Sequence, residues 1–139
     1  MNPLTLEWIE KAEGDFETME LAARSRRART RDGLCFHAQQ CAEKYLKACL
    51  QEADVVFSKT HNLIDLSKSL LTGEPLPAAL RPSLRLLNRY SVALRYPGEF
   101  ATAREAREAR DACRAIRLAL RAQLGLAPHR KPAPRRSRK

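Results

Sequence analysis

Apolar residues recur at steps of three and four along most of this chain, which is the spacing of one face of an α-helix. The steps predict five helices, near residues 5–24, 32–54, 61–71, 78–96 and 102–124. The second helix shows the pattern most cleanly, and its apolar face consists of Leu34, Ala38, Cys41, Ala42, Tyr45 and Cys49. Amphipathic helices joined by short connections are typical of bundles. The pattern therefore predicts an all-α fold, an up-and-down bundle of about five antiparallel helices.

Residues that favour helix ends mark several of these boundaries. Thr60 is in position to cap the third helix, and Thr102 with Glu105 three residues later forms a capping box for the fifth. Pro97 is expected to end the fourth helix near residue 96, because a proline disfavours helical backbone in the residue before it. Gly125 follows the fifth helix as a C-terminal stop.

Composition agrees with the helical prediction. The chain has 21 alanines and 20 leucines against 3 valines and 3 isoleucines. Straight-chain and small residues favour helices, whereas β-branched residues favour strands. The sequence therefore gives no support to a sheet.

Positive charge is concentrated at the C-terminus. The net charge of the 139-residue chain is +10, and six of its 26 Lys and Arg residues lie in 127–139, where there is no acidic residue. Three prolines interrupt that stretch, which is typical of disorder. We therefore predict a helical bundle over 1–126 with a mildly basic surface, followed by a disordered basic tail over 127–139.

Several classes of protein are not supported by the sequence. Its apolar runs are too short for a transmembrane helix, and its first residues lack the pattern of a secretory signal. The four cysteines have no C-x-x-C spacing and are expected to be reduced core residues of a cytoplasmic protein. His37 and Cys41 have the spacing of two metal ligands, but no second pair accompanies them. We expect neither a metal nor a cofactor, since the common nucleotide-binding and hydrolase motifs are also missing.

Arginines form a row along the predicted fifth helix. Its members are three or four residues apart, and they are Arg104, Arg107, Arg110, Arg114, Arg117 and Arg121. Such a row suits a phosphate backbone, and it equally suits a solvated flank whose arginine stems cover the edge of the core. The connection Arg24–Arg31 adds five further arginines, which favours a nucleic-acid partner without excluding the second interpretation.

The second helix also carries a polar row, formed by Gln40, Lys44, Lys47 and Gln51. Spacing alone favours ordinary solvated surface with an intrahelical pair between Glu43 and Lys47 over the wall of a cleft or a dimer seam. His61 comes directly after Thr60, where a structural role in the first turn of the third helix is expected.

Four short segments in order along the chain carry a family resemblance. They are Trp8–Asp15 (WIEKAEGD), Cys35–Ala48 (CFHAQQCAEKYLKA), Thr60–Leu63 (THNL) and Arg95–Gly98 (RYPG). Together they strongly resemble the HEPN domain family (higher eukaryotes and prokaryotes nucleotide-binding), in the branch with F-H-A-Q-Q-A-A-E-K, T-H-x-L and R-Y-P elements. The resemblance extends over about residues 5–124.

The resemblance implies a small helical bundle that forms a homodimer and binds nucleotide or RNA. It also implies a minimal nucleotidyltransferase as partner, in a toxin–antitoxin or defence-type pair. Under this interpretation, Arg95 is the phosphate ligand. The binding site residues are Arg95, Tyr96, Gln40, Lys44 and Lys47, and a basic flank consists of Arg107, Arg110, Arg114, Arg117 and Arg121.

Catalytic relatives are metal-independent RNases with an arginine followed, four to six residues later, by a histidine. No histidine follows Arg95 at that distance, and Arg31 with His37 fits the spacing at a different place in the family pattern. The resemblance therefore favours a binding protein over an enzyme. Two alternatives stay open: an RNase toxin with His37 or His61 as acid and base, and a helical adaptor whose basic tail alone contacts nucleic acid.

Overall fold

A computed structural model describes residues 1–70 and 76–129. Over these residues the chain forms five α-helices and no strand: α1 (Pro3–Ser25), α2 (Arg31–Glu52), α3 (Leu63–Ser69), α4 (Arg81–Asn88) and α5 (Ala103–Gln123). Short 3₁₀ turns precede α2 and α4 and follow α4. This confirms the predicted all-α bundle. None of the helices in 1–70 and 76–129 has the length and apolarity needed to cross a membrane.

Helix α2 is the centre of the bundle and packs against α1, α3, α4 and α5. Its predicted apolar face is buried in full, from Leu34 to Cys49. Helix α5 buries Cys113 and Ile116 completely. Ala109 and Ala112 are buried beside them, and their small side chains let α5 approach the other helices closely. The single core that results holds the polar side chains described below at fixed positions.

The capping residues act at both ends of α5 as predicted. The hydroxyl of Thr102 accepts the amide of Glu105, and the Glu105 carboxylate accepts the amide of Thr102. Gly125 has a φ of 73°, a left-handed conformation that glycine adopts without a steric penalty.

The predicted start of α3 is wrong. Asn62, not Thr60, is the N-cap, since its side chain accepts the amides of Ile64 and Asp65. The Thr60 hydroxyl instead accepts the amide of Asn62 and shapes the approach to the helix. His61 therefore precedes the helix rather than lying in its first turn. The predicted end of α3 at residue 71 lies outside the described residues, as do 72–75 and 130–139.

The predicted end of α4 is also wrong, because the helix stops at Asn88 and not near residue 96. The Asn88 side chain accepts the amide of Leu63, at the start of α3, at 2.8 Å. Ser91 donates to the Asn88 carbonyl, and Leu94 has a φ of 69°. The Ser91 hydroxyl thus takes the carbonyl that a continuing helix would use, and such local side-chain bonds compete with the helical backbone bonds. Residues 92–101 consequently form a loop.

Candidate functional site

Asp15 on α1 holds two side chains of α2. His37 Nδ1 lies 2.8 Å from Asp15 Oδ1, and Lys44 Nζ donates to Asp15 Oδ2 at 2.5 Å. The Asp15 side chain is 10% exposed, whereas His37 and Lys44 are 30% and 23% exposed. The ring of His37 is thus oriented by a largely buried carboxylate through Nδ1, which leaves Nε2 as its nitrogen for an external ligand.

Glu43 on α2 holds a second cluster. Its carboxylate lies 2.9 Å from His61 Nδ1, 3.3 Å from Lys47 Nζ and 3.3 Å from Gln39 Nε2. The Lys47 ammonium also lies 5.4 Å from the centre of the Trp8 ring. The cluster ties the segment before α3 to the middle of α2.

The spacing favours ordinary solvated surface for the polar row on α2, and this prediction is wrong. The predicted pair between Glu43 and Lys47 is confirmed, but both residues are buried. Gln40 is partly buried and donates to Gln39 Oε1 at 2.7 Å. Two members of the row contact α1: Lys44 donates to Asp15, and the Lys47 ammonium lies over the Trp8 ring.

His37 and Cys41 do not meet as metal ligands. His37 faces Asp15, whereas Cys41 is fully buried, and burial raises the pKa of its thiol well above the ordinary value. Within 1–70 and 76–129, no group of three or more His, Cys, Asp or Glu side chains is placed to hold a metal ion.

The loop between α4 and α5 presents Arg95 and Tyr96 to solvent. Arg95 is exposed and donates to the Ser91 carbonyl, and Tyr96 is 70% exposed. Two further bonds shape the loop: Leu94 N donates to the Glu99 carboxylate, and Glu99 N donates to the Tyr96 carbonyl. The exposed guanidinium and phenol are thus carried on a loop with its own hydrogen-bonded structure.

Phe100 in the same loop is 75% exposed and was missed by the sequence interpretation. The next residue, Ala101, donates its amide to Asp32 at the start of α2 at 2.8 Å. The signal that could have found Phe100 is its position beside the R-Y-P element, since an exposed aromatic ring near an arginine is typical of nucleic-acid binding.

The five predicted binding residues belong to two separate regions of one chain. Arg95 and Tyr96 lie in the loop before α5, whereas Gln40, Lys44 and Lys47 take part in the contacts of α2. No hydrogen bond or ion pair among the described residues joins the two groups. That they share one cleft stays a prediction.

Acids partly neutralise the first four arginines of the row on α5. Glu20 on α1 accepts two hydrogen bonds from Arg110 and two from Arg114, at 2.7 to 3.1 Å. Burial raises the pKa of Glu20, but these hydrogen bonds outweigh it and lower the pKa to about 2. Arg104 pairs with Glu108 on its own helix at 2.9 Å.

The last two arginines of the row are buried. Glu13 on α1 receives Arg117 at 2.7 Å and Arg121 at 3.1 Å, and the two arginine side chains are each 6% exposed. Burial raises the pKa of Glu13, but the hydrogen bond and charge of Arg117 outweigh it, so the pKa is lowered. Arg121 further donates to the Tyr45 hydroxyl.

The C-terminal end of the described chain also uses these arginines. Arg121 donates to the carbonyl of Ala127 and Arg117 to that of Pro128, at 2.6 and 3.1 Å. The Arg117 guanidinium stacks 4.1 Å from the centre of the Phe16 ring. The prediction of a six-member surface row is therefore wrong for Arg117 and Arg121, which serve as buried links between helices.

Sequence reasoning missed the three acidic partners on α1, namely Glu13, Asp15 and Glu20. Their signal was present, since each lies next to the apolar residues of α1 and is one to three positions from Ala12, Phe16 or Met19. The facing partners on α2 and α5 became visible only with the helices packed.

The family model described as "HEPN domain" matches residues 5–123. The crystal structure of ST0689, an archaeal HEPN homologue, is similar at a TM-score of 0.65 with 26% sequence identity. The similarity covers 86% of this chain and 97% of that one. No curated protein matches the chain.

Proposed function

Since this chain belongs to the HEPN domain family, we propose that it binds nucleotide or RNA as a homodimer. We further propose that it acts with a minimal nucleotidyltransferase partner in a toxin–antitoxin or defence-type pair. The proposal rests on the family and on the surface chemistry of the loop before α5.

The observation that carries the binding proposal is the exposed loop with Arg95, Tyr96 and Phe100. A guanidinium binds phosphate oxygens with two parallel hydrogen bonds, and an exposed aromatic ring stacks on a base. The loop is anchored to α2 through Ala101 and Asp32. It therefore offers both kinds of contact from a supported position, and Arg95 is the phosphate ligand.

The polar row of α2 is the second part of the proposed site. Gln40 and Lys44 keep part of their side chains exposed and are the members available to a ligand. Lys47 is buried against Trp8 and Glu43, and it acts by holding that cluster in place. In a homodimer, the row of one protomer and the Arg95 loop of its partner would line a common cleft.

Replacement of Arg95 by alanine tests the binding site. A hydrogen bond to a charged group contributes about 1.5–3 kcal/mol, so Arg95→Ala should weaken binding of a nucleotide or a short RNA by roughly tenfold or more. Arg85→Ala on α4 removes another exposed arginine and is expected to bind like the wild type. Sedimentation of both variants reports the oligomeric state, and circular dichroism the fold. Equal titrations of Arg95→Ala and wild type would refute the site.

The partner proposal has its own test. We predict that the neighbouring gene encodes a minimal nucleotidyltransferase, and that co-expression of the two proteins yields a complex that survives gel filtration. Independent elution of the two proteins at micromolar concentration would contradict it, and would leave the binding site untouched.

The histidine–carboxylate pairs favour a second candidate function, cleavage of RNA. Asp15 and Glu43 orient His37 and His61 through Nδ1, as a general acid or base requires. In this reaction a ribose 2′-OH attacks the adjacent phosphate and the P–O5′ bond breaks. A histidine takes the proton of the 2′-OH and a proton is delivered to the departing 5′ oxygen, so one product ends in a 2′,3′-cyclic phosphate and the other begins with a 5′-OH. Intact RNA after long incubation with pure protein would remove this function, whereas loss of cleavage in His37→Ala or His61→Ala would assign the residue.

The adaptor alternative is tested by truncation. The shortened chain should end at His129, because the carbonyls of Ala127 and Pro128 accept hydrogen bonds from α5. If RNA affinity disappears with the last ten residues while Arg95→Ala has no effect, the tail alone binds nucleic acid. Retained affinity supports the site at Arg95.

A further inference from the structure

Arginines line a hollow between the α1–α2 connection and the N-terminal half of α5. The hollow has a volume of about 260 Å³, and small apolar side chains, among them Leu34, Ala103 and Ala106, form part of its wall. Its arginines are Arg26, Arg27, Arg31, Arg107 and Arg110. Five guanidinium groups at one concave site create a strongly positive potential.

Most of these arginines have no acidic partner. Arg110 binds Glu20, but no carboxylate of the described residues pairs with Arg26, Arg27, Arg31 or Arg107. This distinguishes the hollow from the rest of α5, where Arg104 and the three arginines after Arg110 are all in ion pairs. A concave group of uncompensated cations is suited to bind an anion.

The connection that carries Arg26, Arg27 and Arg31 has a defined backbone. The Thr30 hydroxyl donates to the Ala22 carbonyl at 3.2 Å and to the Arg27 carbonyl at 2.9 Å. The Thr30 amide donates to the Arg27 carbonyl as well. The arginines therefore project from a supported turn between two long helices.

A second hollow adjoins the first and leads to the loop before α5. Its volume is about 600 Å³, and Arg27 and Arg31 line both hollows. Arg29 and the exposed ring of Phe100 complete the second one. Phe100 belongs to the same loop as Arg95 and Tyr96, so the arginine hollows continue the proposed binding surface.

We propose that this surface binds single-stranded RNA along a path from the Arg95 loop, past Phe100, into the arginine hollows. Arg27 and Arg31 contact successive phosphates, and an unpaired base stacks on Phe100. This inference rests on the proposed function and specifies its substrate. Stacking on an exposed ring needs a free base face, which a duplex does not offer. The cations occupy two adjoining hollows, which suits a strand with several phosphates better than a mononucleotide.

Fluorescence anisotropy with a labelled single-stranded RNA of about 12 nucleotides tests the path, since site sizes for such surfaces run from about 4 to 16 nucleotides. The test variant is Arg27→Gln with Arg31→Gln. Its control is Lys59→Gln with Arg85→Gln, which removes two charges from exposed residues elsewhere. Circular dichroism checks that both fold.

Salt dependence provides the decisive readout. Each phosphate contact contributes about −0.7 to the slope of log affinity against log salt for a single strand, so the Arg27/Arg31 variant should lose about 1.4 from the slope. The control should keep the wild-type slope. Phe100→Ala should weaken binding about tenfold with an unchanged slope, because a lost stack is not a lost charge.

The other outcomes separate this inference from the proposed function. If Arg95→Ala weakens binding while the Arg27/Arg31 variant matches its control, the path is wrong and the Arg95 site stands. Equal affinity for the same RNA annealed to its complement overturns the single-strand preference. If ATP at equal concentration competes with the RNA, and this competition is lost in the Arg27/Arg31 variant, the ligand is a free nucleotide. That result would refute the proposal that the surface binds an RNA strand. No binding of any RNA or nucleotide refutes both proposals.

Discussion

Replacement of Glu13 by glutamine is expected to destabilise the bundle strongly. The Glu13 side chain is 5% exposed and lies between Arg117 and Arg121, each 6% exposed. Glutamine preserves the shape of the side chain but removes its charge. Two buried guanidinium groups are then left without their carboxylate partner, which costs far more than loss of an exposed pair.

The magnitude follows from what remains after the substitution. Removal of one partner of a buried ion pair costs about 3–5 kcal/mol. Arg117 and Arg121 keep hydrogen bonds to Pro128, Ala127 and Tyr45, which favours the lower end of that range. At an unfolding entropy of about 2.1 cal/mol/K per residue, a loss of about 3 kcal/mol lowers the Tm of a domain this size by roughly 10 °C.

Urea denaturation at neutral pH, followed by far-UV circular dichroism, measures the free energy of unfolding directly. Glu17→Gln is the matched control, because Glu17 is an exposed carboxylate one turn further along α1. The control should stay within about 0.5 kcal/mol of the wild type. If Glu13→Gln proves as mild as this control, Arg117 and Arg121 are not anchored by Glu13, and their assignment as structural links is wrong.

Three further predictions concern Glu20, Asn62 and the buried cysteines. Burial raises the pKa of Glu20 from 4.5, but the hydrogen bonds from Arg110 and Arg114 hold it at about 2, so its contribution is complete above about pH 4.5 and is lost as the pH falls toward 2. The difference in unfolding free energy between wild type and Glu20→Gln should therefore shrink between those pH values, and a constant difference in urea titrations would contradict it. Asn62→Ala should lower the free energy of unfolding by about 1 kcal/mol in urea titrations, because the α3 cap is lost. An unchanged free energy of unfolding would indicate that Thr60, and not Asn62, caps α3. Folded protein should react slowly with a thiol reagent at neutral pH and rapidly in urea, since burial raises the pKa of Cys35 to about 11 and of Cys49 to about 12, and fast labelling before unfolding would disprove their burial.

The long helices were predictable because their signals are local. Helices α1, α2 and α5 begin and end within two residues of the sequence prediction. The N-cap of α1, Asn2, lies one residue before the helix. The end of α4 was not predictable from the apolar spacing, because the backbone leaves the helix through a 3₁₀ turn at Arg89–Ser91 and a positive φ at Leu94. Neither change leaves a periodic trace in the sequence.

The candidate site divides in the same way. The exposed R-Y-P loop was visible as a motif, and the arginine-rich connection was visible as a run of charge. The pairing and burial of the α5 arginines were not visible in the sequence, because spacing along one helix does not reveal the acids that face it. Glu13 and Glu20 lie about 90 to 108 residues from their arginine partners and neutralise or bury four of the six. Among the described residues, Arg26, Arg27, Arg31 and Arg107 form no ion pair, so their guanidinium groups are available to bind an anion.

RNA is expected to bind the surface formed by the Arg95 loop and the arginine connection. Titration of ¹⁵N-labelled protein with short single-stranded RNA maps that surface through its amide resonances. We predict that the largest shifts fall in residues 26–31 and 95–101, with further shifts at Gln40 and Lys44 and none along the buried apolar face of α2. Shifts confined to residues 127–139, or an unchanged spectrum at saturating RNA, would contradict it.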